Sequence, residues 1–77
     1  MKTFKIFVTG KEGIFDPAGQ QSMNALQNLG FSGVLGVSID KMIQLDAEDS
    51  VTREDVRQMC EKLLANPVIE DYEIVEE

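Results

Sequence analysis

Between Thr52 and Leu64 the apolar residues Val56, Met59, Cys60, Leu63 and Leu64 recur at steps of three and four, with Arg53, Glu54, Arg57, Gln58, Glu61 and Lys62 between them. That spacing predicts a helix with one buried stripe. Thr52 is placed to cap its free amides, Asp55 suits its positive end, and Val51 is placed to staple onto Val56. Asn66 fits a left-handed stop, and Pro67 forbids continuation. A strand is predicted from Val68 to Val75, with Val68, Tyr72 and Ile74 on one face and Glu70 interrupting it, either at a rim or through a bulge.

The same reading covers the first half. Thr3 to Thr9 alternates, with Phe4, Ile6 and Val8 on one side and Thr3, Lys5, Phe7 and Thr9 on the other, so a strand with one core face is predicted. Asp16-Pro17 starts a helix whose buried stripe is Met23, Leu26 and Leu29, supported by Ala18, Ser22 and Ala25. Its outer face, Gln20, Gln21, Asn24, Gln27 and Asn28, is rich in amides and uncharged, and serves either as solvated surface or as a protein contact. Gly30 ends it in left-handed geometry, with Phe31 packing back. Val34 to Ile39 and Met42 to Ala47 then alternate around Asp40-Lys41, which predicts a hairpin.

Strand, helix, hairpin, helix, strand is the order of a single α+β domain over residues 1–77. The expected form is a two-layer βαββαβ sandwich, a four-stranded antiparallel sheet with two helices on one face, ferredoxin-like in element order. Phe7 and Met42 fall on the sheet face opposite the helices.

Size and charge narrow the partners. A chain of 77 residues buries too little to be stable by a wide margin, so self-association is expected, at least a dimer, built through the sheet at Phe7 and Met42. The net charge is −7 and is uneven. Residues 1–45 carry four lysines and three acids, whereas 46–77 carry eleven acids against Arg53, Arg57 and Lys62. Nucleic acid and anionic membrane are therefore excluded as partners, and a basic protein surface is favoured. No run is long enough to span a bilayer, and a lone cysteine forms no internal disulfide, so the cytoplasm is the expected location.

Little in the chain suggests catalysis. There is no histidine, so no Ser-His or Cys-His pair exists. Cys60 lies on the apolar stripe and reads as a buried, inert thiol. Gly10-Lys11-Glu12-Gly13 has the glycines and lysine of a phosphate loop but lacks the second glycine-lysine-hydroxyl unit, and Glu12 and Asp16 oppose an anion; it reads as a turn. Glu70, Asp71 and Glu73 do not converge on a metal ion, because consecutive strand residues point to opposite faces.

Two blocks carry a resemblance. Met59-Cys60-Glu61-Lys62-Leu63-Leu64-Ala65-Asn66-Pro67-Val68-Ile69-Glu70-Asp71-Tyr72 resembles the helix-to-strand signature of PurS, the small subunit of phosphoribosylformylglycinamidine (FGAM) synthase, and Lys11-Glu12-Gly13-Ile14-Phe15-Asp16-Pro17-Ala18-Gly19 resembles that family's loop into its first helix. The resemblance implies a non-catalytic scaffold in purine biosynthesis. It would bridge a glutaminase subunit and a large synthetase subunit and help keep ammonia from escaping, within a glutamine-dependent, ATP-consuming ligase. No cofactor is expected in this chain; ATP and Mg are expected in the synthetase subunit. Candidate partner or oligomer contacts are Phe7, Lys11, Asp16, Lys41, Met42, Asp71 and Tyr72. The family usually has an arginine and a glycine where this chain has Ser38 and Asp40. The competing reading is a regulatory module that binds a small effector between paired sheets or at the helix starts, Asp16-Pro17 and Thr52. A stand-alone enzyme is the third.

Overall fold

A computed structural model describes residues 1–77. The elements are β1 (Lys2–Gly10), α1 (Pro17–Asn28), β2 (Lys41–Ala47), α2 (Arg53–Met59), which continues as a π-helical turn over Cys60–Leu64, and β3 (Glu70–Glu76). The strands form one antiparallel sheet in the order β2-β1-β3. In its register Ile6 faces Ile43 on one side and Ile74 on the other, and Phe7 faces Met42 and Glu73. The β1 alternation has the predicted effect: Phe4, Ile6 and Val8 are fully buried.

The core is one-sided and small. Phe4, Ile6, Val8, Val56, Cys60, Ala65 and Ile74 are buried together, with Ile43, Leu45, Val51, Leu64 and Tyr72 packed around them. No residue of α1 belongs to it. The start of α2 matches expectation. The Thr52 hydroxyl accepts from the Asp55 amide at 3.2 Å and the Asp55 carboxylate accepts from the Thr52 amide at 2.9 Å, a reciprocal capping box. Cys60 is buried, and burial raises its thiol pKa, with Glu61 adding to the effect.

The end of α2 differs from expectation. The Ala65 amide reaches back five residues to the Cys60 carbonyl at 3.0 Å, and Ala65 itself is extended. No residue other than Gly13 and Gly30 has positive φ, so Asn66 is not a left-handed stop. Instead its side chain accepts from the Val68 amide at 3.1 Å, and its own amide donates to Glu70 at 2.8 Å. This turn delays β3 to Glu70, which sits half-buried at the strand's first position, so Glu70 is at a rim. The wider π turn also rotates the last residues: Leu64 stays half-buried while Leu63 is 83% exposed.

The expected four-stranded sandwich is overturned, because the sheet has three strands and only α2 covers it. The reason lies at Asp40-Lys41. A two-residue hairpin turn needs positive φ at one or both central residues, and neither has it. Residues 34–40 therefore run straight into β2 without doubling back on it. Their partner is α1. The Asp16 carboxylate accepts from Gly19 at 3.0 Å and from the Ile39 amide at 2.9 Å, and Gln27 donates to the Val34 carbonyl at 2.9 Å. Gly19 lets the two pieces touch, since a Cβ there would lie 2.2 Å from the Val37 carbonyl oxygen.

Residues 16–39 thus form an arm, a helix lying against an extended segment, that stands off the sheet. Gly30 (φ 103°) closes α1 as predicted, with the Phe31 amide donating to Leu26 and the Gly30 amide to Gln27. The predicted stripe of α1 is not core: Met23 and Leu26 are half-buried by the arm itself and Leu29 is 75% exposed. The outline is elongated, 51 × 24 × 14 Å. Its radius of gyration is 15.9 Å, against about 11.5 Å for a compact domain of this length.

The double use of Asp16 makes the arm sensitive to acid. Its hydrogen bonds from Gly19, then from Ile39, hold its pKa below the ordinary aspartate value. A carboxylate depressed by folding contributes stability that is present above its unfolded pKa and lost as pH falls through its folded pKa. Amide resonances of Gly19 and Ile39 are expected to titrate together, with a midpoint below about 3.9. A midpoint at or above that value would show that the carboxylate does not clamp the arm.

Candidate interaction surfaces

Three surfaces are available for chemistry or contact. A cleft of about 580 Å³ separates the arm from the sheet, walled by the end of β1, the loop through Phe15, Ser38–Lys41 and Ile69–Glu70. Lys11, Asp16 and Lys41 all line it. Lys41 is not at a hairpin tip. It is the first residue of β2, opposite Val8, with its Nζ 4.0 Å from Glu70. The Lys11 amide is already engaged with the Ile69 carbonyl at 2.9 Å. Both Asp16 oxygens are committed to backbone amides. Carboxylates of Glu12, Asp16, Asp40 and Glu70 outnumber the two lysines around the cleft, so it does not favour an anion. Ser38 and Asp40 are part of its wall.

The second surface is the open face of the sheet. Phe7 is 42% and Met42 51% exposed, side by side across β1 and β2 as predicted from their register. Asp71 shares this face, opposite Thr9. Two residues not among the candidate contacts join them: Glu73, beside Phe7, and Val75, beside Lys5. Their period-two relation to Asp71 was the available signal. Tyr72 is on the other face, opposite Val8, and its hydroxyl donates to Glu61 at 2.8 Å. That bond raises its pKa, with burial and the Glu61 charge acting in the same sense. Tyr72 thus ties β3 to the end of α2 and is not grouped with Phe7.

The third surface is a mainly apolar groove beside α2, lined by Leu45, Val51, Met59, Leu63 and Leu64 together with Asp55, Gln58 and Lys62. It has no counterpart in the sequence reading, because a regular helix would have turned Leu63 inward. It lies where a second helix covering the sheet would sit, along the β2 side that α1 leaves bare. Across α2, Arg57 donates to Glu54 at 2.9 Å through Nε, which lowers the Glu54 pKa and raises that of Arg57. No three carboxylates or thiols come together as a metal-binding group. No helix is long and apolar enough to cross a membrane.

Comparison with known proteins places this architecture. Residues 3–77 match the PurS family model, described as phosphoribosylformylglycinamidine (FGAM) synthase. The chain belongs to the PurS family. A PurS subunit of FGAM synthase from Archaeoglobus fulgidus is 44% identical over 73 residues, covering 91% of each chain. PurS of Bacillus subtilis superposes with a TM-score of 0.90 at 42% identity, over 100% of this chain and 99% of that one. A chain in the structure of PurLQS from Thermotoga maritima is similar at a TM-score of 0.70 and 30% identity, over 99% and 96% of the two chains. PurS is a subunit of FGAM synthase in purine biosynthesis. The solved PurS structures match the full length of this chain, arm included, so the arm's departure from the sheet accords with a shape those proteins share.

Proposed function

We propose that the chain is a non-catalytic scaffold of a cytoplasmic FGAM synthase, a homodimer that bridges the glutaminase and synthetase subunits and assists ammonia transfer between them. The observation that carries this reading is an exposed arm and a bare apolar groove on a chain that belongs to the PurS family. The similar chain in PurLQS of Thermotoga maritima supports assembly with larger subunits. Dimerisation would seat α1 of one copy in the Leu45–Met59–Leu63 groove of the other, in place of the Phe7–Met42 contact expected from the sequence. ATP and Mg then belong to the synthetase subunit.

The competing effector-binding reading, where it places the ligand at a helix start, needs that start to be free. At α1 both Asp16 oxygens are occupied, and at α2 the capping box closes the first turn, so a ligand would have to displace bonds already made. Purified alone, the chain is expected to hydrolyse neither glutamine nor ATP, and to co-purify with both larger subunits when the three are expressed together. Turnover above background by the chain free of partners would overturn the scaffold reading. So would thermal stabilisation by purine-pathway metabolites or amino acids in place of stabilisation by the subunits.

A further inference from the structure

A scaffold must present a face to the proteins it bridges, and once the arm and groove are assigned to a second copy, the open sheet face is left. Its centre is apolar. Phe7 and Met42, paired across β1 and β2, are 42% and 51% exposed, and Val75, diagonal to Phe7 beside Lys5, is 38% exposed. Its border is acidic. Asp46 and Glu77 flank Thr3 at one end, and Asp71 and Glu73 flank Thr9 and Phe7 at the other. Lys5 is the only cation on the face, and it is held by Glu77 at 2.8 Å. Asp46 accepts from the Thr3 hydroxyl at 2.9 Å, whereas Asp71 and Glu73 take part in none of the chain's ion pairs.

We propose that this face docks a cationic patch of a larger partner subunit, an apolar side chain seated on Phe7 and Met42 with lysine or arginine reaching Asp71 and Glu73. The inference rests on the scaffold reading and names the surface and the partner chemistry it uses. Charge selects the occupant. A second copy would bring like carboxylates together on chains of net charge −7, and like charges juxtaposed across an interface are strongly disfavoured. An uncharged apolar partner would strip water from Asp71 and Glu73 and leave them unpaired. A cationic rim around an apolar knob meets both the centre and the border.

The test measures binding of the whole chain to the purified large subunits, at low and at high salt, with four proteins. These are the wild type, the open-face pair Asp71→Lys with Glu73→Lys, the apolar variant Phe7→Ser, and a control pair of equal charge change off this face, Glu12→Lys with Glu48→Lys. The expected result is a loss of affinity on the order of thirtyfold for the open-face pair and tenfold for Phe7→Ser, the scale of truncating or reversing contacts at an interface centre. The control pair should lose less than about threefold, as rim or remote charges do. Wild-type binding should weaken with salt. Open-face variants that bind like wild type, or control variants that lose as much, overturn the proposal while leaving the scaffold reading intact. A wild-type chain that binds no larger subunit removes both. A change in the chain's own oligomeric mass caused by the open-face pair would identify a second copy as the occupant and also overturn it. All the altered residues of the two charge pairs are exposed, so their folding, checked by circular dichroism, provides a valid comparison even where Phe7→Ser is unstable.

Discussion

Leu29→Glu, Leu35→Glu and Leu63→Glu are each expected to convert the protein from a dimer of about twice 8.6 kDa to a monomer, weakening self-association at least about a hundredfold. In the single chain these side chains are 75%, 91% and 83% exposed, so a charge at any of them barely affects the isolated fold. Two lie on the arm and one lines the groove beside α2. If the arm of one copy covers the groove of the other, each glutamate loses much of its hydration there, with Lys62 the one cation of the groove, and burying a charge in this way costs several kcal/mol. The surface area supports the size of the contact. The chain exposes 5526 Å², against about 4,700 Å² for a compact protein of its mass, and the excess is close to the roughly 800 Å² per partner of a standard interface. The arm is also chemically suited to burial, since no residue from Pro17 to Ile39 is charged. Sedimentation or light scattering at tens of micromolar reads the result. A wild-type monomer, or three variants of unchanged mass, would show that the arm and groove do not meet.

Ile6→Ala is expected to cost about 2–5 kcal/mol, the range for removing a large buried aliphatic side chain. Ile6 is fully buried on the central strand, between Ile43 and Ile74, so no neighbour is free to collapse into the space. With only seven residues in the core and marginal total stability typical of small domains, about 0.05–0.15 kcal/mol per residue, such a loss is a large share of the whole. Urea denaturation should show the midpoint falling by half or more with the slope unchanged. Val68→Ala, at a position 77% exposed, should leave the midpoint nearly where it was. Equal midpoints for Ile6→Ala and wild type would mean that β1 is not the centre of the stable core.

What could be read in advance divides along the chain. The alternation of Phe4, Ile6 and Val8, the Thr52 cap and the burial of Cys60 are local patterns, and local physics decides them. The helix starting at Asp16-Pro17 and ending at Gly30 was equally legible, but its destination was not. An amphipathic stripe says that Met23 and Leu26 need cover without saying which surface supplies it. Val34 to Ala47 alternates whether the chain doubles back at Asp40-Lys41 or runs straight, so the pattern is silent on the step that removes a fourth strand. Leu63 failed for a different reason. A π turn inserts its extra residue through backbone bonding, which no hydrophobic period records. Of the candidate contacts, Phe7, Met42 and Asp71 could be grouped from strand parity. Lys11, Asp16 and Lys41 share a wall only because the base of the arm and the end of β1 border one cleft, and Tyr72 belongs to a different surface.

The register of β1 has a consequence for how the protein is made. Phe4 stands opposite Glu76 and Val8 opposite Tyr72, so the first strand synthesised pairs with the last. Contacts this distant in sequence form slowly, because the intervening chain must be ordered before they contribute. β1 therefore stays without one of its neighbours until β3 has been synthesised, and for that interval it is the segment most in need of protection from other chains.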